Sequence, residues 1–96
     1  MELSVKENGT TLELTLKGRL DTVSAPELES RWEGLPGAWT EVVLDMEGVD
    51  YVSSAGLRVL LQGHKKMQGR FQLRKVTEAV MEVFEMTGFK EILNLA

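Results

Sequence analysis

The spacing of the apolar residues alternates between two periods along this chain, and this alternation limits the class of fold it can adopt. In "ELSVKENGTTLELTLKG", apolar residues occupy every second position on both sides of Asn8-Gly9, which predicts a hairpin. Helical spacing and strand-like spacing then take turns along the rest of the chain. The predicted order is β-β-α-β-α-β-α-β. It indicates an α/β fold with α+β character, a mixed β-sheet with helices packed against it.

Three segments have apolar residues at helical spacing. The first would begin after Ser24, with Glu27 completing a capping box, and would end at Leu35-Pro36-Gly37. The second is "AGLRVLLQGHKKM", in which Gly56 and Gly63 share one face that another group could approach closely. Thr77 would cap the third. The residues predicted to face inward from the three helices are Ala25, Leu28, Trp32 and Leu35; Leu57, Leu60 and Leu61; and Ala79, Val80, Val83 and Phe84.

The remaining segments are predicted to be strands. Val42, Val43 and Leu44 are consecutive apolar residues, which suits a strand covered on both faces. "RFQLRKV" alternates, with Phe71 and Leu73 inward, and the chain ends in a short strand or helix around Ile92 and Leu93. The two tryptophans, Trp32 and Trp39, are interpreted as packing residues rather than a ligand platform.

Length and composition exclude several classes of function. Ninety-six residues suit a single domain, residues 1–96, and 11 basic against 15 acidic residues give a net charge of −4, which disfavours nucleic acid. The absence of cysteine excludes disulfides and thiol chemistry. The polar start and the lack of an apolar run of about 20 residues predict a cytoplasmic chain without membrane insertion.

The sequence also argues against an enzyme. The single histidine, His64, follows Ser54 by ten residues on the same predicted helix, roughly 15 Å along its axis, so the two cannot form a catalytic pair. Asp45, Glu47 and Asp50 are interpreted as a solvated acidic segment rather than a metal site. No phosphate-binding glycine loop is present. We therefore predict no catalytic residue, no metal and no cofactor.

Two adjacent serines open the second predicted helix. Ser53 suits the N-cap position, where its oxygen would accept a hydrogen bond from a free backbone N–H. Ser54 would then lie in the first turn with an accessible hydroxyl. A phosphate there would be tolerated by the helix dipole and would add charge that repels a partner. Both serines being ordinary helix-start residues is the alternative.

Several segments, in order, resemble the STAS domain of bacterial anti-sigma factor antagonists. They are "GRLDTVSAPELE", "VVLDMEGVDYVSSAGLRVLL" and "MTGFKEIL". The family features they match are Gly18-Arg19-Leu20-Asp21, the strand from Val42 to Asp45, Ser53-Ser54-Ala55-Gly56-Leu57 and Thr87-Gly88-Phe89. The resemblance covers nearly the whole chain and implies the STAS fold, in which helices lie mainly on one face of the sheet.

The resemblance implies a phosphorylation switch. In such antagonists, an anti-sigma factor with serine kinase activity phosphorylates the serine that follows the family aspartate, a position that maps to Ser54. The unphosphorylated antagonist binds the kinase and frees the sigma factor, phosphorylation ends the binding, and a serine phosphatase resets the switch. Here Ser53 replaces the family aspartate, and Ser53 is the alternative acceptor.

The partner surface is predicted on the loop between Asp50 and Gly56 and on the exposed side of the following helix. Its predicted members are Asp21, Asp50, Ser53, Ser54, Ala55, Gly56, Arg58 and Gln62. For Asp21, a turn-stabilising role is the alternative. An alternative function is a constitutive STAS subunit of a transport complex or signalling scaffold, and a third is a small-molecule or nucleotide binder.

Overall fold

The computed structural model describes residues 1–32 and 39–96. Its strands are β1 (Glu2–Asn8), β2 (Thr11–Leu20), β3 (Glu41–Val52), β4 (Phe71–Arg74) and β5 (Asn94–Leu95). Its α-helices are α1 (Ala25–Glu29), α2 (Ser54–Lys66) and α3 (Glu78–Thr87), and short 3-10 turns follow at Ser30–Trp32 and Phe89–Glu91. The predicted order of strands and helices is confirmed.

The five strands form one mixed sheet in the order β1-β2-β3-β4-β5. β1 is antiparallel to β2, and the other neighbouring pairs are parallel. Asn8 pairs with Thr11, so the two turn residues of the predicted hairpin are Gly9 and Thr10. Gly9 has a φ of +63°, which glycine adopts without strain at the first position of a tight hairpin turn. The hairpin is confirmed, with its turn one residue later than the Asn-Gly pair indicates.

The three helices cover one face of the sheet, as predicted. Leu14, Leu44 and Leu73 lie side by side on neighbouring strands and are buried. Side chains from each helix join them in one cluster, among them Leu28, Leu60 and Phe84. The opposite face carries half-buried or exposed polar residues, namely Glu13, Thr15, Asp45, Gln72 and Arg74.

Strand β3 is longer than its apolar core indicates. Val42, Val43 and Leu44 are all buried, although Val43 lies on the polar face beside Glu13 and Gln72. The strand continues through "EGVDYV" to Val52. The pairing of β2 with β3 shifts register twice, between Thr15 and Lys17 and between Gly18 and Arg19. These irregularities allow the two strands to run together for their whole length.

Two predicted details of the helices are wrong. Ser24 precedes α1, but its side chain makes no capping hydrogen bond to the helix. Ala79 is exposed, so the buried stripe of α3 consists of Val80 and Phe84 with Val83 half-buried. The Thr77 cap is confirmed: its hydroxyl oxygen accepts from the Val80 N–H at 3.4 Å. The predicted Leu35 contact and the Pro36-Gly37 helix stop lie outside the described residues.

The close approach predicted at two glycines is made by the core itself. A Cβ at Gly56 would lie 2.7 Å from the Leu20 carbonyl oxygen. A Cβ at Gly63 would lie 2.6 Å from the ring of Phe71 and 3.0 Å from that of Trp32. α2 therefore contacts the sheet more closely at these two positions than any side chain would permit.

Across the ranges 1–32 and 39–96, each helix is too short or too polar to cross a membrane.

Candidate functional site

The predicted site lies where β2 and β3 end side by side. Leu20 pairs with Val52, the last residues of the two strands. The Ser53 N–H donates to the Leu20 carbonyl oxygen at 2.9 Å. Because parallel strands end at the same edge of a sheet, the loop that starts at Asp21 and the helix that starts after Ser53 leave from neighbouring points. The structure thus brings together two segments that lie about thirty positions apart in the sequence.

Ser53 is the N-cap of α2, as predicted. Its backbone is extended, with φ −93° and ψ 174°, and its side-chain oxygen accepts from the Gly56 N–H at 3.2 Å. Its carbonyl oxygen accepts the first helical hydrogen bond, from the Leu57 N–H at 2.9 Å. The residue is half-buried. The Ser53 hydroxyl oxygen therefore already has a structural role.

Replacing Ser53 with alanine is expected to lower the free energy of unfolding by about 1 kcal/mol, the usual effect of losing a side-chain N-cap. Urea unfolding followed by circular dichroism measures the change. Ser53→Asp is the matched control, because aspartate caps helices as well as serine and should restore stability. Equal stability of the wild type and Ser53→Ala would contradict the capping role.

Ser54 is the first residue of α2 and is exposed. Its two successors turn inward: Ala55 is half-buried, and Gly56 is buried against Leu20 and Val52. Gly56 was predicted to contact a partner, but the structure gives it a packing position. Of the serine pair, Ser54 is the exposed residue and Ser53 the half-buried one.

Asp21 holds the turn between β2 and α1. Its Oδ1 accepts from the Val23 N–H at 3.0 Å and from the Ser24 N–H at 3.1 Å. The Ser24 N–H lowers the pKa of Asp21 below its ordinary value of 3.8, partial burial opposes this, and Val23, the Ser24 hydroxyl and Arg19 add to the lowering. The turn-stabilising role proposed as the alternative is present. A partner contact by Asp21 remains a prediction.

Three residues beside the site were missed by the sequence analysis. The Ser24 hydroxyl donates to the Arg19 carbonyl oxygen at 2.6 Å and accepts from the Asp21 N–H at 2.9 Å. The Arg19 guanidinium lies 4.0 Å from the centre of the Tyr51 ring, and its Nε is 3.6 Å from Asp21 Oδ2. Arg19 and Tyr51 are paired in the sheet only because of the register shifts, which no sequence pattern revealed.

The outer side of α2 carries three more of the predicted residues: Ser54 and Arg58, which are exposed, and Gln62, which is half-buried. Ser54, Arg58 and Gln62 follow one another at intervals of four, so they form a stripe along one face of the helix. A groove of about 200 Å³ separates this face from α1; its lining residues are Thr22, Ala25, Pro26, Glu29, Ala55, Arg58 and Val59. Gln62 lines a second groove of about 330 Å³ with Glu29, Trp32, Lys65 and Lys66. Asp50 is exposed on β3, apart from both grooves.

The described site presents groups that can contact a partner. Among the described residues, no group of three or more acidic or histidine side chains is arranged to hold a metal ion. His64 lies near the carboxyl end of α2, whereas Ser54 is at its amino end. What the site offers is an exposed hydroxyl at a helix start beside a cationic side chain and a groove.

A family model described as the STAS domain matches residues 2–96 of the chain. The chain belongs to the STAS domain family. In this STAS domain, the helix that opens with the serine pair is α2, and the element matched by Thr87-Gly88-Phe89 ends α3. Gly88 has a φ of +81° there, the left-handed conformation that commonly terminates a helix.

Two relatives have names that state a role. "Putative anti-sigma factor antagonist BtrV" of Bordetella bronchiseptica is 35% identical over 100 residues, covering all of this STAS domain and 86% of that protein. The anti-sigma-B factor antagonist of Bacillus subtilis is 26% identical over 99 residues and matches across 91% of its length.

Solved structures of the Bacillus antagonist SpoIIAA share the fold. The unphosphorylated form superimposes with a TM-score of 0.83 at 20% identity, covering 99% of this STAS domain and 88% of SpoIIAA. The phosphorylated form gives 0.76 at 19% identity, covering 99% and 91%. At these identities the likeness concerns the fold alone.

Proposed function

We propose that this STAS domain is an anti-sigma factor antagonist whose binding is controlled by phosphorylation of Ser54. In the unphosphorylated form it binds an anti-sigma factor and thereby releases a sigma factor. The anti-sigma factor is also a serine kinase that phosphorylates Ser54, and the phosphorylated STAS domain no longer binds the anti-sigma factor. A serine phosphatase restores the binding form. Relatives named as anti-sigma factor antagonists support the class of partner.

The proposal depends on the different environments of the two serines. Ser53 is half-buried and occupied in capping α2, whereas Ser54 is exposed at the first helical position. A kinase needs the acceptor oxygen to reach the terminal phosphorus of a nucleoside triphosphate in line with the leaving oxygen. Ser54 can be approached in this way without disturbing the cap or the core.

The physical effect of the phosphate is to change surface charge. A phosphoserine adds about −1.5 to −2 charges near neutral pH, and the chain already carries −4. At the start of α2 the new charge is accommodated by the positive end of the helix dipole. A partner surface that fits against an uncharged Ser54 would have to desolvate this charge, and binding is lost.

In this proposal the domain acts by binding and does not catalyse a reaction. Residues 1–96 act as a single binding domain in the cytoplasm, with no catalytic group, cofactor or metal. The contact surface consists of the members of the predicted set that are exposed or half-buried: Asp21, Asp50, Ser53, Ser54, Ala55, Arg58 and Gln62.

One feature favours a second candidate function. Ser53 stands where the antagonist pattern has an aspartate, and a carboxylate next to the acceptor is a group that could help orient it. A STAS domain without that group would suit constitutive binding, as a subunit of a transport complex or scaffold. Its α2 surface would then bind a partner irrespective of phosphate.

Intact-mass and fragment mass spectrometry of the protein purified from its own cells tests the proposal. The expected result is one added phosphate on Ser54 in part of the population, with the fraction changing between growth conditions. Phosphate on Ser53 would transfer the switch to the capping residue. A protein without phosphate under every condition would leave the constitutive module as the function.

A further inference from the structure

Arg58 is an exposed cation about one helical turn after the proposed phosphate. It follows Ser54 by four residues on α2 and lines the groove between α1 and α2. Within residues 1–32 and 39–96, the ion pairs at 4.0 Å or less involve Arg19, Arg74, Lys75 and Lys90, and not Arg58. Its guanidinium is therefore available to a new anion.

The geometry of a helix directs Arg58 toward Ser54. Side chains on an α-helix lean toward its amino terminus, so a long side chain at position i+4 extends over position i. An anion that precedes a cation by four residues is also the more favourable order for a helical ion pair. Ser53 has no such neighbour, because the residue four positions after it is Leu57, which is buried.

We propose that Arg58 is the intramolecular counter-ion of phosphorylated Ser54, and that the same guanidinium binds an acidic side chain of the partner when Ser54 is unmodified. The inference rests on the proposed function and adds a second effect to it. Phosphorylation adds negative charge to the surface, and it also withdraws the cation that the partner uses. A guanidinium can bind either group because its planar N–H donors form bidentate hydrogen bonds with a carboxylate and with a phosphate.

Other charged residues lie on the elements around the start of α2. Asp21 is on the neighbouring loop with Arg19 at 3.6 Å, Asp50 is on β3, and Glu29 is on α1 in the groove that Arg58 lines. The carboxylates raise the second pKa of a phosphate on Ser54, whereas Arg19, Arg58 and the start of the helix lower it. The effect of Arg58 is therefore measured as a difference between variants and not as an absolute value.

Phosphoserine introduced at position 54 during translation allows this difference to be measured by ³¹P NMR titration. Arg58→Gln is expected to raise the second pKa of the phosphate by about 0.3 or more, a twofold change in proton affinity, which is the scale of a helical ion pair. Lys65→Gln is the matched control. It removes the same charge from the same face of α2 at about 16 Å along the axis, well beyond the screening length.

An unchanged titration in Arg58→Gln, or an equal shift in Lys65→Gln, would overturn the inference. The titration does not depend on any kinase, so it separates this inference from the proposed function. If the cellular protein carries no phosphate but Arg58→Gln shifts the titration, the switch fails and the pairing stands. If Ser54 is phosphorylated in cells but the titration is unchanged, the switch stands without Arg58.

Binding to the anti-sigma factor gives the second readout. Arg58→Gln in the unphosphorylated protein is expected to weaken binding severalfold, and raising the salt concentration should reduce the difference between wild type and variant. Undiminished affinity in Arg58→Gln would contradict the partner-binding half of the inference.

Discussion

Replacing Trp32 with alanine is expected to lower the free energy of unfolding by about 3–5 kcal/mol, the range for removing a buried aromatic side chain. Trp32 is almost wholly buried, and its ring meets that of Phe71 edge to face with centroids 5.2 Å apart. Its Nε1–H donates to the Val59 carbonyl oxygen at 2.7 Å. The side chain thus ties the segment after α1 to both α2 and β4. A domain of this size has roughly 5–15 kcal/mol to lose.

Trp39→Ala is the matched control, because Trp39 is only half-buried at the edge of the same cluster. It should cost distinctly less than Trp32→Ala. Urea unfolding monitored by circular dichroism compares the two variants without relying on tryptophan fluorescence. Similar losses for both variants would mean that the burial of Trp32 does not determine its contribution.

Ser54→Asp is expected to weaken binding of the cognate anti-sigma factor at least tenfold, or about 1.4 kcal/mol. The reason is that a carboxylate buried in the interface without a cationic partner, or next to another negative charge, destabilises the complex by at least this amount. The same substitution should leave the free energy of unfolding within about 0.5 kcal/mol of the wild type, since Ser54 is exposed and an acidic residue suits the first turn of a helix. Isothermal titration calorimetry and urea unfolding measure the two quantities.

Ser54→Asn separates charge from size, because asparagine is nearly the same shape as aspartate and carries no charge. It should bind more tightly than Ser54→Asp. Equal losses of affinity in both variants would point to steric fit at Ser54 instead of charge. A large drop in stability in Ser54→Asp would assign the residue to the folded framework.

The order of the elements could be predicted because each has a local signal. Period-two leucines identify β2, the run Val42 to Leu44 identifies β3, and a cap followed by a helical stripe identifies α2 and α3. The Ser53 cap could be predicted for the same reason, since its partner, the Gly56 N–H, is three residues away. Such signals depend on neighbours in sequence and need no knowledge of the fold.

The details that could not be predicted depend on contacts between distant residues or on competition between near ones. Ser24 has the sequence signature of a capping box. In the structure, however, the Ser24 N–H donates to Asp21 Oδ1, and the Ser24 hydroxyl donates to the Arg19 carbonyl oxygen instead of capping α1. The contact between Arg19 and Tyr51 depends on two register shifts in the sheet. The helical spacing of Ala79 does not reveal that this residue faces solvent.

Two glycines determine whether a modification at the start of α2 can move the helix. Gly56 lies against the Leu20 carbonyl and Gly63 against the rings of Phe71 and Trp32, at points about 10 Å apart along the helix axis. Contact at both points holds the helix against sliding, turning or lifting, because close-packed interiors do not deform gradually. α2 therefore keeps its position on the sheet when its amino end is modified. A modification at Ser54 changes the local surface and does not move the helix, so a partner must contact that surface to distinguish the two forms.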